Sequence, residues 1–320
     1  MKPIASLSLD LDNEWAYMKT RGNPAWDSFP SYLDVVVPRF LRILDELQQR
    51  ITVFVVGQDA ALPKNASALR SIATAGHEIG NHSFHHEPWL QNYTTEQIEA
   101  EIGSATDAIV AATGVRPVGF RGPGFTLSAP TLEALAKRDY RYDCSTFPTY
   151  IGPLARAYYF MTAKLTPEER EQRKALYGSM SEGRRPLSQY RWNLGEGRSL
   201  LEIPVTTYPV VKIPIHFSYV LYIATKAPWL AIPYFRSALL ACRALGIAPS
   251  LLLHPLDFLD GDDVATLAFF PAMQMPRAQK LDVLTRALRV YRELFDVVAV
   301  GEHATAIERT GATRSLVFTQ

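Results

Sequence analysis

His77-Glu78-Ile79-Gly80-Asn81-His82-Ser83-Phe84-His85-His86 reads as a short strand that runs straight into a histidine cluster. The chain has seven histidines, and four of them lie in these ten positions. The same layout recurs: a few strand-forming residues, then chemistry-bearing side chains. Ile4 to Leu9 alternates and ends in Asp10-Leu11-Asp12. Residues two apart on an extended segment share a face, so Asp10 and Asp12 are expected to point the same way, with Glu14 as a third candidate. Val118 to Phe120 leads into Arg121-Gly122-Pro123-Gly124-Phe125, and Tyr140 to Cys144 carries Asp143. Ser250 to Leu253 delivers His254-Pro255.

Between these strands the pattern changes to helical spacing. Leu33, Val37, Phe40, Leu41, Leu44 and Leu47 follow Ser31, a candidate N-cap. Thr94 and Gln97 resemble a capping box before Ile98, Ile102, Ala105 and Ile109. Ile51 to Val56 is continuous and β-branched, as in a strand buried on both faces. Further helices are expected over 66–75, 128–137, 231–245 and from Leu281 to Phe295, and a last strand from Asp296 to Val300. Trp15 to Pro30 reads as a loop. Six or seven strand–helix units joined by short loops predict an α/β fold with a parallel sheet. The polar residues at the C-terminal strand ends sit where barrel enzymes keep their chemistry.

Bulk properties narrow the class. The 320 residues fit one large barrel domain, and 48% hydrophobic residues supply a sizeable core. A net charge of +1 argues against nucleic acid as a partner. Cys144 and Cys242 lie far apart with no finger spacing, so both are expected to be buried, inert thiols. His77, His216 and His303 belong to no motif and are expected to be structural. The first ten residues reach charge before an apolar leader completes, which predicts a cytoplasmic protein. Lys226, Pro228 and Pro233 interrupt the longest apolar stretch, Phe217 to Phe235, which argues against a spanning helix there.

The strand ends together present Asp10, Asp12, His82, His86, Arg121, Asp143 and His254. Two imidazoles and a carboxylate are a three-ligand set for a catalytic divalent metal with open positions for water. A second carboxylate serves to take a proton, and a distant histidine to return one. An arginine keeps a carboxylate ionised, and an aspartate favours a protonated histidine. These are the parts of a metal-assisted amide hydrolysis.

The motifs resemble those of the polysaccharide deacetylases, the NodB-homology carbohydrate esterases. Leu9-Asp10-Leu11-Asp12 looks like the first of five, His82-Ser83-Phe84-His85-His86 the second and Arg121-Gly122-Pro123-Gly124-Phe125 the third. Asp143-Cys144-Ser145 and Leu252-Leu253-His254-Pro255 look like the fourth and fifth. The resemblance implies a distorted (β/α)7 barrel forming a single domain over 1–320. It implies Asp12, His82 and His86 as metal ligands, with Zn²⁺ as the default ion and Co²⁺, Mn²⁺ or Fe²⁺ as alternatives. Asp10 would be the general base, paired with Arg121. His254 would be the general acid, oriented by Asp143, and the Gly124 N–H would support the oxyanion. The implied reaction removes an N-acetyl or related small acyl group from an amino sugar of a glycan or lipid-linked glycan precursor.

Three departures stand out. Leu11 separates aspartates that are adjacent in the commonest form of the motif, which leaves base and ligand roles open between Asp10 and Asp12. Gly124 replaces an aromatic residue. Residues 153–235 look like a large insertion; its first part, 153–200, carries nine Lys/Arg against five Asp/Glu, with Tyr158, Tyr159, Phe160 and Trp192 interleaved. That composition suits either a lid or a peripheral contact with the inner membrane face. Two other functions fit the fold: a cyclic amide or allantoin-type C–N hydrolase, and an inactive sugar-binding barrel. The intact Asp12/His82/His86 set weighs against both.

Overall fold

β1 (Ile4–Leu11) lies one strand in from one end of a ten-stranded sheet in the computed structural model, which describes residues 2–152, 165–172, 174, 180–311 and 313–318. It pairs in parallel with β2 (Thr52–Val55) on one side and with β8 (Ser250–Leu253) on the other, Leu9 standing opposite both Val53 and Leu253. β9 (Asp296–Val298) pairs with the N-terminal half of β1. From β2 the sheet runs in parallel through β3 (Glu78–Asn81), β4 (Gly119–Phe120) and β5 (Tyr142–Asp143) to β7 (Ser199–Glu202). β6 (Tyr190–Asn193) is antiparallel to β7, and β10 (Arg314–Val317) pairs with β6 at the outer edge.

Past β7 the chain stays extended and returns to β8. Thr206 N donates to Ser250 O at 2.9 Å, and Ser250 N donates to Thr206 Oγ1 at 2.9 Å. The ladder is open there, yet seven strands curl into a ring whose ends meet through this contact. This is the distorted seven-stranded α/β barrel that the strand–helix alternation and the motifs predict.

The pleat of β1 explains what fills the ring. Leu7, Leu9 and Leu11 are buried in the large core under the surrounding helices. The alternate residues Ser6, Ser8, Asp10 and Asp12 are also buried, and they form a polar column on the inner face. Ser6 Oγ meets His303 Nδ1 at 2.9 Å, Ser8 and Asp10 meet Arg121, and Asp12 meets the histidines. His303 belongs to the helix Val300–Thr310, whose Val300, Ala304 and Ile307 pack with Phe54, Tyr142 and Leu201 inside the ring. Phe54 lies flush against Gly80; a Cβ there would collide with its ring, so this floor needs glycine.

Several elements differ from expectation. The segment after Asp12 is not simply a loop: Asn13 Oδ1 accepts from Glu14 N and caps the helix Glu14–Thr20. Glu14 is therefore a first-turn residue and its carboxylate accepts from Thr266 Oγ1, away from Asp12. β6 and β10 carry no clear period and were not expected. Phe217 to Phe235 is divided between two helices, Phe217–Lys226 and Pro228–Ala244, broken at Ala227 because a residue before proline resists the helical region. Among the described residues no helix is long and apolar enough to cross a membrane.

The span 153–235 contains β7, a stave of the ring, so it is not wholly an addition to the barrel. Trp192 is buried between Tyr190 and Glu202 rather than presented to an interface. Tyr158, Tyr159 and Phe160 lie outside the described residues.

Candidate metal centre

β1 and the loop after β3 bring Asp12, His82 and His86 together. Asp12 Oδ1 lies 2.9 Å from His86 Nε2 and 3.3 Å from His82 Nε2. One ligand atom from each of the three residues lies within 4.8 Å of the others, and all three residues are buried. His82 Nδ1 faces the Arg121 carbonyl at 2.6 Å, which places the Nδ1 proton on that bond and leaves the Nε2 lone pair for a metal. Burial alone would raise the Asp12 carboxyl, but the His86 charge and the contacts with both rings outweigh it and hold it well below the usual range. An ionised carboxylate with two imidazole nitrogens fits a divalent ion of the zinc type.

The loop that carries the histidines is held in an unusual shape. Ser83 and His86 both have positive φ, 62° and 51°, which non-glycine residues rarely adopt. The turn aims His86 back at Asp12. Glu101, on the helix Thr95–Thr113, holds it: Glu101 Oε2 accepts from Phe84 N at 2.9 Å and His85 N at 3.0 Å, and Oε1 meets the His85 ring. Ser83 N donates to Asn81 Oδ1 at 2.8 Å. Further along, Gly57 N and Gln58 N donate to the carbonyls of Ser83 and Phe84. His85 is thus a brace and not a member of the ligand group.

Asp10 points across the ring to the residue that follows β4. Arg121 Nη1 donates to Asp10 Oδ1 at 2.5 Å and to Ser8 Oγ at 2.8 Å, and its guanidinium lies 4.4 Å from the centre of the Phe54 ring. Arg121 is fully buried. Burial works against its charge, and the Asp10 carboxylate outweighs that effect. Removing one partner of such a buried pair costs about 3–5 kcal/mol, because the other charge is stranded.

Asp143 takes a different place from the one expected. Asp143 and His254 make no hydrogen bond with each other. Instead Asp143 Oδ1 accepts from Ser145 Oγ at 2.6 Å, and Ser145 Oγ accepts from Gly122 N at 2.8 Å. Asp143 therefore braces the Arg121-Gly122-Pro123 turn. It also stands opposite Glu202 in the β5–β7 register, and the two carboxyls share a hydrogen bond. Burial raises both, and the Asp143 charge and the shared hydrogen bond push Glu202 further up.

His254 follows β8 and, by the β1–β8 register, lies beside Asp10. Its Nδ1 is 3.1 Å from Ser218 Oγ, which in turn donates to Asp257 Oδ1 at 2.8 Å. Asp257 Oδ2 accepts from His254 N at 2.8 Å. His216 is a neighbour that the sequence did not mark as part of the site. It is buried, its ring centre lies 5.7 Å from that of His254, and its Nδ1 has no partner. Burial, with the charges of His254 and Arg121, pushes its ring well below the usual histidine range. Tyr17 and Tyr32 also close on Asp12, the Tyr32 hydroxyl donating to its carbonyl at 2.6 Å.

Gly124 has φ 59° and sits against Pro88, so glycine suits both its backbone and its space. The next residue, Phe125, lies 4.7 Å from Phe147 between ring centres, and Phe147 lies 5.7 Å from His216. An aromatic wall thus runs from the Gly124 turn to the His254 side.

Residues 25–142 match the sequence model of one family, described as polysaccharide deacetylase, the family that the five motifs resemble. The match includes His82, His86 and Arg121; Asp10, Asp12, Asp143 and His254 fall outside it. A peptidoglycan deacetylase of Helicobacter pylori is 30% identical over 112 residues, covering 35% of this chain and 37% of that protein. The peptidoglycan-N-acetylmuramic acid deacetylase PdaA of Bacillus subtilis is 32% identical over 83 residues, 26% of this chain and 30% of that one. The alignments span about a third of the length of these relatives. Among solved structures, a Mycobacterium smegmatis protein provisionally assigned as a polysaccharide deacetylase has the same fold, with a TM-score of 0.66 at 23% identity over 100% of this chain and 95% of that one. A Puue allantoinase also shares it, with a TM-score of 0.54 at 16% identity over 92% and 86% of the two chains.

Proposed function

We propose that the protein is a divalent-metal hydrolase that removes an N-acetyl, or related small acyl, group from an amino sugar of a glycan. The convergence of two imidazole nitrogens on Asp12 Oδ1, two residues along the chain from the Asp10 that pairs with buried Arg121, carries this reading. The family match and the peptidoglycan deacetylase relatives support the substrate class.

In this reading Asp12, His82 and His86 hold the ion. When bound, it supplies Lewis acidity to an amide carbonyl and acidifies a water. Asp10 would take a proton from the attacking water, with Arg121 paired to its carboxylate. The Gly124 N–H donates to the developing oxyanion. His254 returns a proton to the departing nitrogen. The Phe125–Phe147 wall offers apolar ring faces to a sugar. A lipid-linked precursor is the finer substrate we favour, and exposed Val210, Val211 and Trp229 would supply peripheral membrane contact.

The test is metal loading with product analysis. Chelator-stripped protein given zinc should bind about one ion per chain. It should release acetate from an N-acetylglucosamine oligomer, or from a lipid-linked N-acetylamino sugar in vesicles, and leave allantoin intact. Protein that neither binds added zinc nor changes activity overturns the proposal; turnover of allantoin alone moves the function to cyclic ureides.

A further inference from the structure

We propose that Ser218 and Asp257 are positioning residues for His254, fixing which ring nitrogen faces the reaction. The inference rests on the deacetylase reading for its catalytic meaning, but the proton arrangement stands on geometry alone.

Asp257 is buried, and each of its oxygens accepts a bond: Oδ2 from His254 N at 2.8 Å, Oδ1 from Ser218 Oγ at 2.8 Å. Asp257 N in turn donates to His254 O at 3.0 Å, so the two residues clasp each other across Pro255-Leu256. The single hydroxyl proton of Ser218 is committed to Asp257. Its lone pair, 3.1 Å from His254 Nδ1, then accepts from an Nδ1–H. Neutral His254 therefore carries its proton on Nδ1 and leaves Nε2 bare. When the ring is protonated, Nε2–H is the proton it can give away. A hydroxyl stands where a carboxylate would touch the ring directly, and the Asp257 charge reaches the imidazole through it.

The source of Ser218 matters as much as its distance. It is the second residue of the helix Phe217–Lys226, 36 positions before His254 and outside all five motifs. This helix also presents His216 at its N-terminus, beside the His254 ring. Part of the 153–235 span thus completes the support of the histidine. The charged and titratable groups around His254 and its clasp are Asp257, His216, Asp10 on the neighbouring strand with its partner Arg121, Lys280, whose charge acts on Asp257, and Tyr17 from the helix Glu14–Thr20. Lys280 Nζ donates to the Leu256 carbonyl at 2.9 Å and to the Leu259 carbonyl, pinning the turn that carries Asp257.

The experiment uses full-length zinc-loaded protein with ¹⁵N-labelled histidine, the His254 signals being assigned by loss in His254→Gln. Wild type should show the neutral Nδ1–H tautomer at His254. Ser218→Ala should shift it towards Nε2–H, and Ser218→Thr should restore it. With an N-acetylglucosamine oligomer, kcat of Ser218→Ala should fall about 10- to 100-fold, as for groups one step behind the reacting residue, with KM little changed. The basic limb of its kcat profile should move to lower pH, because His254 loses support for its charge. Asp257→Asn should act in the same direction. An unmoved tautomer and an unmoved limb in Ser218→Ala, or no restoration by Ser218→Thr, overturn the inference. Wild type that shows the tautomer but releases no acetate overturns the deacetylase reading and leaves the inference standing.

Discussion

Asp10 and Asp12 project from the same face of one strand and meet opposite fates. Asp12 faces two imidazoles and Asp10 a guanidinium, so the one residue between them changes the partner and with it the chemistry. Asp10→Asn should keep zinc and lose activity by about two or more orders of magnitude, the scale of acid–base assistance. Asp12→Asn should lose zinc, measured as metal per chain after gel filtration. The opposite pattern would exchange the two roles. At this scale the sequence was most informative where one period placed the residues: Asp10 with Asp12 by the pleat, His82 with His86 by a single loop. It assigned Asp143 to His254, whereas the pairing of β5 with β7, which no local pattern announces, sets that carboxyl beside Glu202. His216 and Ser218 were hidden for a related reason, since their helix reaches His254 through tertiary packing and no local pattern announces it.

Among elements, the loop 82–87 and the helix Thr95–Thr113 work as a pair. The helix was legible from its Thr94–Gln97 capping box, which is present, and from its apolar stripe. Glu101, buried on that helix, was not, because a single glutamate in a helix ordinarily faces water. It carries the two amides that let His86 adopt positive φ. Glu101→Ala should therefore leave the helix intact by circular dichroism yet weaken zinc binding about 10- to 100-fold by calorimetry. Unchanged affinity would show that the loop holds its shape unaided. Short strands at the outer end of the sheet, β6 and β10, escaped the sequence reading because four residues with mixed burial show no period.

For the whole molecule, the ring encloses a polar column with the metal centre at one end and His303 near the other. Burial pushes both His303 and His77 down to about 4. The unfolded chain, with histidines near 6.5, binds more protons between these values. Stability from these rings is therefore complete above about pH 6.5 and is lost as pH falls towards 4. For His303, fully buried, the loss approaches roughly 3 kcal/mol at 1.36 kcal/mol per unit. Urea midpoints of wild type and His303→Gln at pH 7 and pH 4.5 should differ less in the variant. An equal fall in both would assign the acid sensitivity to other groups. The barrel was legible at this scale because parallel strands buried on both faces read as apolar runs. The helix Val300–Thr310 was not anticipated; only its first residue, Val300, had been read, as the end of the last strand.

The meeting of Thr206 with Ser250 has a kinetic consequence. These residues are 44 positions apart, and the intervening chain holds two helices that must pack before the ends can join. Every other junction in the ring is zipped by a parallel ladder. The hoop is therefore completed late in folding and opens first in native fluctuations, so the Thr206 amide should exchange with deuterium well before those of β1.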